Sequence, residues 1–465
     1  MSVSGDLSDS EAALAPAIPV PGPMTQRRVA NLAAPIVAEY FLQTLVAAVS
    51  TLLISQAGDT ALAGVGIANP IIFFFLALFS AISVGATVLI SQAFGARDSN
   101  RTNALAKQAL TWGFIVAVPI SVATYALTPI VVNLFGDDDA VKDAAIEYLQ
   151  ILAIGNVVLL GAYLAGSILR GVSDGKTPLY AAVLMNFLNV IASYALIGGE
   201  LGFPEYGVAG AAWASVISRA LGVAFLIVVL FGGKRTVTIR GRNGWLPERK
   251  TGAQLFHLGA PAAMEQVSNE TGFLATTFVV ASLGASALTA QQIGLTAVEV
   301  WYLPSLALSV TATALVGQSV GAKRIEDGII AARILHRWVL IWTAFGSVLL
   351  IAAANPIIAI FSSDDSVQNQ GWHAMMAIGI SLPLWGLWLT TTGAIRGTGD
   401  TRSPMIRGLI STWLAVGIAA GGVYVFDMGI GWTWAAYIFA LPIPVIGNWR
   451  AFRKRTSRFA EHGMF

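Results

Sequence analysis

Cysteine is absent from this chain of 465 residues, which excludes disulfides, iron–sulfur ligation and thiol chemistry and leaves the redox compartment open. Histidine is scarce, and His257, His336, His373 and His462 are scattered without metal-ligand spacing, so no metal site is expected. There is no Gly-x4-Gly-Lys-Ser/Thr loop to cradle ATP and no nucleophile beside a base. Neither an enzyme nor a cofactor is therefore expected. Charge is the scarcest resource: 11% of residues are charged, against about a quarter in a soluble domain. The basic stretch near the middle lacks interleaved aromatics, which argues against a nucleic-acid partner. Residues 1–26 are Ala/Pro/Ser-rich without a basic n-region, and predict a disordered tail rather than a cleaved signal.

What remains is apolar. Hydrophobic residues make up 56% of the chain and the mean hydropathy is +0.71. Apolar segments fall at 28–55, 60–92, 106–134, 140–168, 178–199, 206–232, 254–283, 286–318, 330–361, 370–394, 404–426 and 430–452. Most have the roughly 20 residues that cross about 30 Å of hydrocarbon. Strand-like alternation is absent, so the spans are helices in a lipid bilayer. The sequence predicts an all-α integral membrane protein with twelve transmembrane helices.

The spans are duplicated. Thr87-x-Leu89-x-x-Gln92-x-x-Gly95-Ala96-Arg97 returns 226 residues later as Thr313-x-Leu315-x-x-Gln318-x-x-Gly321-Ala322-Lys323. Arg170-Gly171-x-x-Asp174-x-x-x-Pro178 returns at the same offset as Arg396-Gly397-x-x-Asp400-x-x-x-Pro404, and Pro35-x-x-x-Glu39 as Pro261-x-x-x-Glu265. No gap is needed. Six spans per copy make the copies parallel repeats, an arrangement typical of transporters. The expected organisation is a tail (1–26), an N-terminal lobe (27–232), a basic linker (233–253) and a C-terminal lobe (254–465).

Lys and Arg cluster on one side of the spans: Arg27 and Arg28, the loop with Arg97, Arg101 and Lys107, Arg170 and Lys176 after span 4, the linker, and the C-terminal tail. The opposite loops hold Lys142 amid Asp137, Asp138, Asp139 and Asp143. By the positive-inside rule both termini and the linker are expected in the cytoplasm, with the chain in the cell membrane. The linker reads as a tether beside anionic headgroups.

The repeated blocks resemble those of the multidrug and toxic compound extrusion (MATE) family, in its prokaryotic NorM- or DinF-like branches. The likeness is carried by "ALAGVGIANP…SVGATVLISQAFGARD" at 61–98, "ILRGVSDGKTP" at 168–178, "GAPAAMEQ" at 259–266, "TATALVGQSVGAKR" at 311–324 and "AIRGTGDTRSP" at 394–404. It covers nearly all of residues 27–455. It implies two homologous six-helix lobes facing a V-shaped cleft, in a monomer that exports organic cations or amphiphilic toxins in exchange for H⁺ or Na⁺. Many family members carry an Asp at the places of Ser50 and Ser193, and some an acidic residue at the place of Asn269. This chain lacks a carboxylate at all three, so those coupling roles do not transfer.

Ionisable groups inside spans are costly, which makes each a candidate site. Glu39 and Glu265 stand four residues after Pro35 and Pro261 and four before the amides Gln43 and Asn269. At that spacing carboxyl, amide and the carbonyl freed by proline can converge on a proton or Na⁺. The alternative is a hydrogen-bonded Glu bracing a proline-kinked helix, with the prolines as hinges. Glu299, beside Trp301 and Tyr302, offers a carboxylate and aromatic faces to a lipophilic cation, and Glu270 a lip of the substrate path. Arg219, in mid-span 6, is expected to pair with a carboxylate of its lobe, Glu39 being the candidate, or to snorkel to a headgroup. Asn156 and Asn189 read either as interhelical glue or as lining of the substrate path.

The reading is an antiporter for cationic or amphiphilic small molecules driven by H⁺ or Na⁺. The alternative keeps the fold and moves a lipid-linked or endogenous metabolite.

Overall fold

A computed structural model describes residues 18, 22–55, 58–133, 138–200, 202–232 and 237–462. Most of the expected tail (residues 1–17 and 19–21), Asp137 and linker residues 233–236 lie outside the described residues. The described residues form fourteen helices and no strand. These are α1 (Gln26–Ser55), α2 (Asp59–Gly95), α3 (Ser99–Val132), α4 (Asp139–Gly171), α5 (Lys176–Ile197), α6 (Gly207–Gly232) and α7 (Arg249–Ala281). They continue with α8 (Ala285–Gly321), α9 (Ile325–Ala352), α10 (Ala354–Phe361), α11 (Asp365–Gly397), α12 (Arg402–Phe426), α13 (Ile430–Ala440) and α14 (Pro442–His462).

The 226-residue offset extends to helix ends: α8 begins and ends 226 residues after α2, and α11 after α4. The stop signals repeat as well. Asp138 caps α4 by accepting from the backbone N–H groups of Ala140 (3.0 Å) and Val141 (3.3 Å), and Asp364 caps α11 through Ser366 (2.7 Å) and Val367 (3.3 Å). A short acidic side chain suits this position because it satisfies N–H groups that have no partner within the helix. Beyond α2 and α8, Arg97 (φ 59°) and Lys323 (φ 57°) take the left-handed turn that ends each helix.

Among the described residues, eleven helical stretches are long and apolar enough to cross a membrane. The twelfth expected span, α7, has 33 residues; Glu265, Gln266, Asn269 and Glu270 reduce its apolar character. Two expected spans are interrupted. The 330–361 segment breaks at Ala353 between α9 and α10, two residues before the Asn355-Pro356 step, where proline restricts the preceding backbone. The last span breaks at Leu441, and Pro442 opens α14, a position where its missing N–H costs nothing.

The described residues pack as two units, one spanning 34–260, the other joining 22–33 to 261–462. The first turns of α1 thus belong with the second unit, and those of α7 with the first. The changeover falls beside Pro35 and at Pro261, while the linker's described residues stay with the first unit. In that unit α4 is the central helix, packed on α2, α3, α5 and α6; in the second α11 holds the same place against α8, α9, α13 and α14. Glycines permit close approach where small residues let backbones meet. Gly259 of α7 lies over the carbonyl of Ala81, and Gly85 of α2 over that of Leu255, so neither crossing has room for a Cβ. Gly417 of α12, by contrast, faces open space.

Alanine gains about 1 kcal/mol over glycine in helix propensity. Gly417→Ala is therefore expected to hold or raise the thermal midpoint in detergent, whereas Gly259→Ala lowers it through an overpacking cost of about 1–3 kcal/mol. Equal effects of the two substitutions would remove the tight α2–α7 crossing from the account.

Candidate functional site

Each unit buries one glutamate against one arginine. In the first, Glu39 of α1 is 8% exposed, and Arg170 Nη1 donates to both its oxygens at 3.1 and 3.2 Å. In the second, Arg396 Nη2 donates to Glu265 Oε2 at 2.7 Å, and Glu265 is 3% exposed. Partners are 131 residues apart in both units, so the pairs are equivalent contacts of the repeat. Each arginine stands in the last turn of the central helix, α4 or α11. A charged hydrogen bond of this length, shielded from water, is far stronger than an exposed pair.

The acidic residue of each Arg-Gly-x-x-Asp block closes the turn that follows. Asp174 accepts from Thr177 N (3.0 Å) and Oγ1 (2.7 Å), and Asp400 from Ser403 N (2.9 Å) and Oγ (2.7 Å). Arg455 of α14 reaches Asp400 at 3.3 Å. The glycine after each arginine keeps the turn against its neighbour: a Cβ on Gly171 would press on Ile90, and one on Gly397 on the carbonyl of Thr313. The motif thus places a guanidinium, a tight helix contact and a cap in one stretch.

The amides expected to join the glutamates do not do so. Gln43 is exposed and makes no hydrogen bond to Glu39 among the described residues. Asn269 Oδ1 instead accepts from Thr412 Oγ1 of α12 at 2.8 Å. In both cases arginine takes the carboxylate that the sequence spacing offered to the amide. Glu265 does have other polar company. Gln266 Nε2 donates to Glu270 Oε1 at 2.9 Å, and the Tyr302 phenol lies within electrostatic reach of Glu270, Glu265 and Arg396. Gly408 of α12 leaves Glu265 Oε1 in an uncrowded position, where a Cβ would approach it to 3.1 Å.

Glu299 and Trp301 separate. Glu299 is exposed, while Trp301 is 6% exposed and packs against Trp342, the rings tilted at 47° with centroids 4.9 Å apart, inside the second unit's core. Two residues apart on a helix point nearly opposite ways, so they share no pocket. Asn156 Nδ2 donates to Thr124 Oγ1 at 3.4 Å. Asn189 accepts from Ser50 Oγ at 3.2 Å and donates to Ser215 Oγ at 3.4 Å. Both asparagines therefore serve as links between helices in this conformation.

Arg219 requires a correction. It does not pair with Glu39, because Arg170 holds both oxygens of that carboxylate, and among the described residues Arg219 has no ion-pair partner. Its electrostatic neighbours are Tyr148 and Tyr163 of α4. Sequence reasoning missed Arg170 and Arg396 as partners because they read as flanking loop charges. The available signal was the conserved offset itself, since Pro-x3-Glu and Arg-Gly repeat together. Among the described residues, no group of three His, Asp or Glu side chains is placed to hold a metal.

Removing Arg170 or Arg396 alone leaves a buried carboxylate uncompensated. Arg170→Leu and Arg396→Leu are each expected to cost about 3–5 kcal/mol in unfolding free energy, whereas replacing both partners by apolar residues recovers most of that loss. Denaturant titration of the purified protein measures both. A single substitution without cost would mean the pairs are not buried clamps.

Comparison with known proteins agrees with this duplicated geometry. The MatE family model matches residues 35–195 and again 261–420, once per unit. The chain is 30% identical over 425 residues to the "Probable multidrug resistance protein NorM" of Thermotoga maritima, covering 90% of this chain and 89% of that one. It is 26% identical over 437 residues to the NorM protein of Burkholderia pseudomallei, covering 91% and 92%. A solved structure described as the outward-facing conformation of a multidrug resistance MATE family transporter superimposes with a TM-score of 0.87 at 21% identity, over 95% of this chain and 97% of that one. With two matched repeats, a 30%-identical relative along most of its length and the same fold, the chain belongs to the MATE family of membrane transporters.

Proposed function

We propose that this transporter is a secondary antiporter of the cell membrane, exporting cationic or amphiphilic small molecules in exchange for H⁺ or Na⁺ by alternating access. The NorM names of its relatives support drug or toxin export. The observation that carries the coupling reading is the difference between the two glutamates. Glu39 gives both oxygens to Arg170, while Glu265 gives one to Arg396 and keeps the other beside Gly408. Glu265 also shares its surroundings with Glu270 and Tyr302. A second carboxylate and a phenol supply oxygens suited to a small cation, and a proton needs only the free oxygen.

In this reading Glu39–Arg170 is the fixed clamp and Glu265 the coupling carboxyl, with Gln43 outside the coupling site. Uptake of H⁺ or Na⁺ at Glu265 weakens its hold on Arg396, and so the tie between α7 and the central helix α11. Cargo release and the change of access follow from that loosening. Pro35 and Pro261 are the bending points, because packing changes units beside them and proline removes one helical hydrogen bond. One charge crossing 100 mV supplies about 2.3 kcal/mol, enough to support a cargo gradient of some tens-fold. The transporter acts as a monomer, and its basic flanks favour a topology with both termini in the cytoplasm.

The test is efflux of a fluorescent lipophilic cation from proteoliposomes under separate pH and sodium gradients. Glu265→Gln is expected to reduce gradient-driven efflux at least tenfold while leaving binding intact, and the gradient that drives the wild type names the ion. Unchanged coupling in Glu265→Gln would contradict the assignment. A wild type silent under both gradients would contradict the antiport reading.

A further inference from the structure

The clamp in the first unit takes both oxygens of Glu39 and leaves a cation in the middle of α6. Arg219 lies twelve residues from the start of α6 and thirteen from its end, about 18 Å from either at 1.5 Å per residue. That is farther than an arginine side chain reaches, so snorkelling to a headgroup does not resolve the charge. Among the described residues, no ion pair includes Arg219.

The groups around Arg219 are rich in donors. Tyr148 and Tyr163 of α4 lie within its electrostatic reach. Asn189 faces Ser215 and Ser218, while Met185 fills the space over Gly222. These two contacts bracket Asn186 on α5 at the depth of Arg219. Asn186 Nδ2 is a buried donor with no acceptor among the described residues. A guanidinium has five N–H donors and no acceptor, and a phenol can donate one more. A buried donor left unpaired is expensive and marks a place where a partner is missing.

We propose that Arg219, with Asn186, Tyr148 and Tyr163, forms an anion-recognition site inside the first unit for the carboxylate or phosphate of an amphiphilic cargo. The inference rests on the export reading and narrows its cargo to amphiphiles that carry an acidic group. A planar carboxylate or a phosphate oxygen pair accepts from guanidinium N–H groups side by side, and Asn186 Nδ2 supplies a further donor at the same depth. A purely cationic cargo meets repulsion here, and its binding depends on other parts of the protein. An anionic phospholipid headgroup has the same chemistry, so the lipid must be distinguished from free cargo.

The test uses a matched dye pair, rhodamine 19 with a free carboxylate and rhodamine 6G, its ethyl ester, read by fluorescence anisotropy on the full-length purified protein. Wild type is expected to bind the free acid at least tenfold more tightly than the ester. Arg219→Gln should abolish that preference, by weakening binding of the free acid, and Arg219→Lys should keep part of it. Unfolding midpoints within a few degrees of wild type establish that the variants are folded. Equal affinities in wild type, or a preference surviving Arg219→Gln, would overturn the proposal while leaving export standing.

If neither dye binds, a dye-free readout decides the site. Octanoate should then raise the unfolding midpoint of wild type but not of Arg219→Gln, with octylammonium as control. No octanoate effect in wild type would overturn the proposal. Mass spectrometry separates the lipid source: phosphatidylglycerol retained by wild type and lost from Arg219→Gln assigns the site to a headgroup, whereas equal retention with an intact dye preference assigns it to free cargo.

Discussion

A carboxylate placed within a membrane-spanning helix needs a partner. Here the partner is an arginine that the same repeat supplies 131 residues later, in both halves. Much of the rest depends on that pair. It fixes α1 and α7, each just past its proline, to the last turn of a central helix, and it sets the depth at which both glutamates lie. Because the contact is long-range, both sequence blocks had to be duplicated together for each glutamate to keep its counter-charge. Helix ends, caps and left-handed turns repeat with it because they place the same two helices.

The two copies are alike in architecture and unlike in charge. The second unit surrounds its clamp with a second carboxylate, an amide and a phenol; the first surrounds its own with tyrosines and a second arginine. The duplicated scaffold thus keeps its clamps while its polar interiors have diverged. The changeover of packing beside Pro35 and at Pro261 falls on the helices that carry the clamps.

Much of the fold was legible in the sequence because it depends on local or periodic signals. The repeat and the span positions are read from such signals and the helix ends obey the same offset, whereas the breaks at Ala353 and Leu441 interrupt two spans expected to be continuous. The site was less legible. Glu39 and Glu265 stood out because charge is rare in the spans, yet their partners resembled flanking loop charges. Spacing offered Gln43 and Asn269, which share a helix with the glutamates, but a guanidinium from another helix wins by charge. Arg219 stands out as a charge within a span, and of the outcomes open to it the Glu39 pair is not made, since Arg170 occupies both oxygens of Glu39. Glu299 and Trp301, neighbours in sequence, were separated by helix geometry.

The most direct test of the clamp is to exchange its members. Glu39→Arg and Arg170→Glu each place two like charges together in a dry site, and made together they restore an opposite pair with the donor on the other helix. The thermal midpoint of the exchanged protein in detergent is the measurement. The account expects each single reversal to fall far below wild type and the exchange to recover most of the difference. An exchange no more stable than its single reversals, or reversals as stable as wild type, would contradict the claim that the Glu–Arg pair holds each unit together.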